Sequence, residues 1–267
     1  MECSPLSTRS PLIMATLAAG LLALGGCQKS TPAEAAAIEA VDRQQVDQGF
    51  IEAFSQVLYR NALGANQQGL IGAVDMHMTL NAQNRVLACT ARPSTHYLIA
   101  DKRSDAGLLK LATELCWNTL LPGVSPQVFK DADDTQVIVA PLVFPSLDAL
   151  SIEQKQRQAV RVSLYQQMRF LREQLVARQS VEGVGVASFR YVANAQGQVQ
   201  ECQVRLEPSP YRPGEFKPDS ALQQRLASQC QQLDLRQMPG FATGPEGLAQ
   251  GFVSVDYSPW MNGARAN

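Results

Sequence analysis

The residues of this 267-residue chain best equipped for chemistry are thiols. Four of its six cysteines stand as two pairs, Cys89 with Cys116 and Cys202 with Cys230, at separations of 27 and 28 residues. Such a set can ligate a metal, act as a nucleophile or close disulfides. Thiolate metal sites favour a CxxC pair or added imidazoles. There is no CxxC, and the only histidines, His77 and His96, both accompany the first pair. A metal site would therefore not repeat with the cysteines. Asp131, Asp133 and Asp134 crowd one stretch, but it lacks the Gly and closing Glu of a calcium loop. Ser180 and Ser188 belong to no G-x-S-x-G motif, and neither a P-loop nor a G-x-G-x-x-G string is present. Nothing here points to catalysis, a metal or a cofactor, and the expectation is a non-enzymatic protein.

What does repeat is the context of each cysteine pair. Gly72 to Cys89 carries a strand-like run, then Asn81-Ala82-Gln83-Asn84, Val86 and Cys89. Gly185 to Cys202 carries another, then Asn194-Ala195-Gln196-Gly197, Val199 and Cys202. Asn84 and Gly197 stand at the same place, and both residue types tolerate positive φ. A hairpin loop ending in a left-handed residue is the economical reading. A helical segment then brings Cys116 or Cys230.

The N-terminus reads as a targeting segment. An apolar run, Leu12 to Leu24, ends in Leu24-Gly25-Gly26-Cys27, which resembles the lipobox of bacterial lipoproteins. That resemblance implies cleavage after residue 26, a lipid on Cys27 and, with Gln28 next, the outer membrane. An exported chain sits in an oxidising compartment, where an even, locally paired cysteine set reads as disulfides. A net charge of -1 recommends neither nucleic acid nor an anionic surface.

The elements that must position the pairs follow in order. Pro32 and Glu34 after Thr31 mark a helix start, and Phe50, Phe54, Val57 and Leu58 give the helix an apolar face towards Asn61. Gly49 is a candidate break or kink and Gly64 a candidate end. Val74, Met76, Met78 and Leu80 alternate as a half-buried strand, and a return strand runs from about Arg85 to Ala91. Ser104 can cap a helix striped by Leu108, Leu111, Ala112, Leu115 and Cys116. Thr135 to Phe144 is a closing strand. The second copy repeats this order. Ser151 and Gln154 form a capping box for a helix marked by Leu164, Met168, Leu171 and Leu175. Strands follow at Val186 to Val192 and Val199 to Leu206. Asp219 caps a helix bearing Leu222, Leu226, Cys230 and Leu233, and Phe252 to Tyr257 closes the copy. The expected class is α+β: two tandem units, each helix-strand-strand-helix-strand, with a three-stranded antiparallel sheet and one internal disulfide. The expected boundaries are 1–26 signal segment, 27–44 tether and start of the first helix, 45–145 and 146–260 the two units, and 261–267 a frayed tail.

The second unit resembles the C-terminal domain of the TonB family of periplasmic proteins. The likeness rests on Gly183-Val184-Gly185-Val186, the turn Asn194 to Gly197 followed by Val199, and the pair Cys202 and Cys230. It spans about Val181 to Trp260, and more faintly Leu70 to Pro145. The resemblance implies a binding module that takes up an extended peptide along an open sheet edge, with Val137 to Phe144 and Phe252 to Tyr257 as candidate edges. Phe252, Val253, Val255 and Tyr257 are the expected partner-binding residues. The expected partner is an envelope protein, such as a peptide of an outer-membrane receptor or transporter, with the membrane reached through the lipid and no small-molecule substrate. The long Pro-rich segment and uncleaved helix of the family's energy transducers have no counterpart, so motor coupling is not expected. The alternative is a structural subunit or docking spacer of an envelope secretion or transport complex.

Overall fold

A computed structural model of the chain describes residues 32–95 and 106–261, with side chains from Gln48 onward and excluding that of Ala149. The expected signal segment, Cys27, Thr31, His96, Ser104 and residues 262–267 lie outside the described residues. The fold is α+β with two three-stranded antiparallel sheets and two disulfides. Among the described residues, no helix is long and apolar enough to cross a membrane.

Helix α1 spans Pro32–Ala65 and runs through Gly49 without the expected break. Strands β1 (Gly72–Asn81) and β2 (Val86–Pro93) form the first hairpin, followed by α2 (Ala106–Asn118) and β3 (Thr135–Phe144). The second half repeats the order with α3 (Ile152–Gln174), β4 (Gly185–Asn194), β5 (Val199–Glu207), α4 (Ser220–Cys230) and β6 (Leu248–Tyr257). In each sheet the first hairpin strand is central: the orders are β2-β1-β3 and β5-β4-β6. The closing strand pairs with the side that the hairpin leaves open.

Period-two alternation decides which side chains become core. Val74, Met76, Met78 and Leu80 on β1 face Phe54, Val57 and Leu58 of α1 and Leu108, Ala112 and Leu115 of α2 in one buried cluster. Ala187, Phe189 and Tyr191 on β4 face Leu171 of α3 and Leu222 and Leu226 of α4 in another. Capping fixes where the second-half helices begin. Ser151 Oγ accepts from Gln154 N while Gln154 Oε1 accepts from Ser151 N at 2.8 Å, a complete capping box. Asp219 Oδ1 accepts from Leu222 N at 2.8 Å at the start of α4. Helix α4 ends at Cys230, so Leu233 lies beyond it in the following turn. Helix α3 corrects one expectation. Leu171 and Leu175 are buried, but Leu164 is 55% exposed, because α3 extends past the sheet it covers.

The chain from Gln45 onward forms one compact unit that holds both sheets. Helix α3 is the chief cross-brace within it. Gln158 Nε2 donates to Leu63 O at 2.6 Å. Gly64 lets α1 approach α3 closely: a Cβ there would lie 2.7 Å from Tyr165 Cβ and 3.2 Å from Arg161 O. The buried Arg172 guanidinium donates through Nη1 to Asn118 O at 3.1 Å and through Nη2 to Met261 O at 2.9 Å. A small apolar knot of Leu120, Val184 and Met261, with Trp260 against it, completes the seam. Met261, expected to begin a frayed tail, is therefore docked between the halves.

Candidate partner-binding edge

Each sheet exposes two outer strands, and the sequence singles out β3 and β6. Both carry the same pattern of inward and outward residues. Inward on β3 lie Ala140, Leu142 and Phe144, and outward lie Val137 and Val139, 60% and 52% exposed. Inward on β6 lie Val253, Val255 and Tyr257, and outward lies Phe252, 59% exposed. Of the four expected partner-binding residues, only Phe252 thus offers its side chain to solvent. The side chains of the other three belong to the core, and the alternation of an antiparallel pair turns their backbone groups towards β4, so it is Gln250, Phe252 and Ser254 that direct backbone groups to the open side.

Register makes the two edges comparable position by position. His77 pairs with Val139 and Asp75 with Pro141; Arg190 pairs with Phe252 and Ser188 with Ser254. Pro141 and Ser254 therefore occupy equivalent places. Proline lacks an N–H and is tolerated in a sheet where that group would face the open side of an edge strand. The β1–β3 pairing continues on both sides of Pro141, so the missing donor is on the outer edge. That blunts β3 as a template for an added strand. Strand β6 has no proline from Leu248 to Tyr257, and its outer donors continue through Ser254. A proline inside Thr135 to Phe144 was the signal in the sequence for this difference.

The far end of β6 is occupied. Asp256 is partly buried beside Arg60 of α1 and Arg172 of α3. Burial pushes its carboxyl up to about 6, and the two guanidiniums act in the opposite direction. At the near end the Leu248 carbonyl already accepts from Gly244 N at 2.8 Å, so the open part of the edge is Ala249 to Ser254, with Phe252 on it. Neither Asp256 nor Arg172 belongs to a sequence motif, so periodicity alone could not mark them.

The remaining candidates separate cleanly. The disulfides join Cys89 to Cys116 and Cys202 to Cys230, with Cα–Cα distances of 5.9 and 6.1 Å, and each links a hairpin to the helix above it. Asn84 has φ 57° and Gly197 has φ 75°. His77 is half-buried on the outward row of β1, opposite Thr90 and Val139. Asp134 accepts from Lys130 N at 2.9 Å and Thr135 N at 2.8 Å, and the first of these bonds leads in holding its carboxyl below the usual range. The acidic cluster is thus an ordinary turn. Ser188 Oγ donates to Glu207 Oε2 at 3.3 Å and lies 3.1 Å from Ser254 Oγ. Ser180 is exposed. Trp117 packs on the first core and Trp260 on the seam. Arg212, also unmarked by any motif, lies 4.7 Å over the Trp260 ring, pairs with Glu215 at 2.7 Å and donates to Gln83 O at 3.3 Å. It ties the proline-rich loop of the second half to the turn of the first.

Comparison with protein-family models, with curated proteins and with solved structures returns no match.

Proposed function

We propose that this chain is a non-enzymatic binding protein of the TonB C-terminal-like type, lipid-anchored at Cys27 on the periplasmic face of the envelope. It engages an extended peptide of an envelope partner along β6. The observation that carries this reading is the open stretch Ala249 to Ser254, free of proline and bearing the exposed Phe252. Unpaired backbone donors and acceptors supply affinity in strand addition, and alternate side chains supply selectivity. A side chain of the partner on the outward row would meet Phe252 and the neighbouring Arg190. The first half, with its edge interrupted at Pro141, serves as the rigid base on which the second is held.

The test transplants the interruption. Ser254→Pro should leave the fold intact and weaken capture of extended peptides from a display library at least tenfold, about 1.4 kcal/mol. Equal capture by the variant, or selection of only helical ligands by the wild type, would reject the edge. A second reading, a docking spacer in a larger envelope assembly, is favoured by helix α3. Its first half, braced on α1 through Gln158 and Tyr165, still exposes Ile152, Val160 and Leu164 by 76%, 58% and 55%. A stoichiometric partner lost on Val160→Glu but retained on Ser254→Pro would support that reading instead.

A further inference from the structure

The connection between the halves shapes a pocket that stands apart from the sheet edge. Helix α1 ends at Ala65, a single 3-10 turn at Leu147–Ala149 follows the first half, and α3 starts at Ile152. These pieces enclose a pocket of about 420 Å3. From α3 it is lined by Lys155, Ala159, Val162 and Gln166, three or four residues apart and so on one stripe of the helix. That stripe is not the one that carries Val160 and Leu164. Each wall is fixed by local bonds. The Asn66 side chain donates to Leu70 O and accepts from Leu70 N, both at 2.8 Å. Ser146 Oγ accepts from Asp148 N at 3.2 Å, and the capping box holds the start of α3.

Leu147, Leu150, Ala159 and Val162 make much of the wall apolar. Asn66 and Gln158, 6% and 7% exposed, are its buried polar side chains. The amide of Asn66 is paired at both ends, and that of Gln158 at one. Its Nε2 donates to Leu63 O at 2.6 Å, while its Oε1 accepts from no group among the described residues. Buried side-chain oxygens are normally paired, and this one has two lone pairs to offer. The oxygen is not sealed inside the protein, and the space that Gln158 borders is this pocket. At the mouth, the exposed Lys155 and Asp148 carry opposite charges, so nothing there selects an ion of one sign.

We propose that this pocket binds a small, neutral, apolar molecule carrying one N–H or O–H donor. The donor would meet Gln158 Oε1, and the apolar body would lie against Leu147, Leu150 and Val162. A concave, mostly apolar wall with a few placed polar groups is the usual form of such sites, and the volume falls in their range of about 300–1,000 Å3. The inference is independent of peptide capture at β6.

The test is a titration of the full chain with two isomers, 3-methylindole and 1-methylindole, followed through the backbone amide shifts of Leu150, Gln158 and Val162. The isomers match in size, and only the first has an N–H. Saturable shifts are expected with 3-methylindole, which should bind about fivefold or more tightly than 1-methylindole. In Gln158→Met, which keeps the length and removes the acceptor, that preference should fall to within about twofold. Ala159→Trp, at an exposed position, should leave the denaturation midpoint nearly unchanged and weaken both isomers about tenfold or more by filling the pocket. Should Gln158→Met fail to fold for want of its bond to Leu63, the wild-type preference and Ala159→Trp decide. No saturable shift with either isomer at about 2 mM, above a submillimolar Kd, would overturn the proposal. So would equal binding of the isomers by the wild type, a preference kept in Gln158→Met, or unchanged binding in Ala159→Trp.

Discussion

The two halves end the same hairpin with different chemistry, and the difference spreads outward. In the first, Asn84 adopts φ 57° and then uses its side chain as a clamp. Its Nδ2 donates to Val124 O at 3.1 Å, and its Oδ1 accepts from Val124 N at 2.8 Å. In the second, Gly197 adopts φ 75° and offers only backbone: its carbonyl accepts from Leu235 N at 2.8 Å. Both turns tie the hairpin to the segment after the following helix. The closing strands then diverge, with Pro141 interrupting one edge and Ser254 leaving the other whole. The same order of elements thus carries two different edges, one interrupted by Pro141 and one free of proline from Leu248 to Tyr257.

The hardest test of that division is whether the halves unfold together. Each disulfide closes a loop of similar length, so removing either should cost about 3 kcal/mol in the chain-entropy model. Cys89→Ala with Cys116→Ala, and Cys202→Ala with Cys230→Ala, should lower stability about equally in denaturant titrations. Because the halves share a seam, each variant should still show one cooperative transition. Two resolved transitions would mean that the halves are independent bodies joined in name only.

Arg172 is the sharper probe of the seam itself. Its guanidinium reaches carbonyls from the loop after α2 and from the chain end, Asn118 O and Met261 O. Arg172→Met keeps much of the volume and leaves both carbonyls without that donor. The expected loss is about 2–3 kcal/mol, together with faster amide exchange at Met261. Normal exchange there would remove Arg172 from the account of how the halves are held.

Asp256 gives the seam a pH dependence whose sign is fixed by its raised pKa. The folded value of about 6 exceeds the ordinary 3.8, so the fold favours the protonated form. Its stabilising contribution is complete below pH 3.8 and lost as pH rises through 6. Near neutrality the charged carboxylate costs stability, about 1–2 kcal/mol after discounting for partial exposure. Asp256→Asn should therefore raise the denaturation midpoint at pH 7.5 and change it little at pH 4. A loss of stability at pH 7.5, smaller at pH 4, would reverse the sign and assign Asp256 to an ion pair with Arg60 and Arg172.

Much of this fold was legible because duplication writes each signal twice. The cysteine spacing, the Asn-Ala-Gln turn and the alternation from Val74 to Leu80 each have a partner in the second half, and the structure joins both cysteine pairs locally. What could not be read depends on contacts between copies. Leu164 continues an apolar stripe by spacing, yet it stands where α3 has left its sheet. Gly64 stands one residue before the end of α1, as its type suggests, and its second role, letting α1 meet α3, could not be read. Arg172, Arg212 and Asp256 sit among ordinary polar positions, and nothing in their spacing marks the first two as buried and the third as partly buried. Pro141 was readable as an edge marker but gained its meaning from register, which set it against Ser254.

The smallest effect separates the two turns. Exchanging their residues should not be symmetrical. At Gly197 a Cβ would lie 2.7 Å from Arg236 N and 2.8 Å from Asp234 Oδ1, so Gly197→Asn forces a backbone shift and should cost about 2 kcal/mol. Asn84→Gly gains freedom at a positive φ but loses two hydrogen bonds to Val124, for a net cost of about 1 kcal/mol. The distinguishing measurement is amide exchange at Val124, whose N–H donates to the Asn84 side chain. In Asn84→Gly that amide should exchange faster while the Cys89–Cys116 hairpin keeps its protection. If Val124 is unaffected, the clamp is incidental, and the first half is no more rigid at its turn than the second.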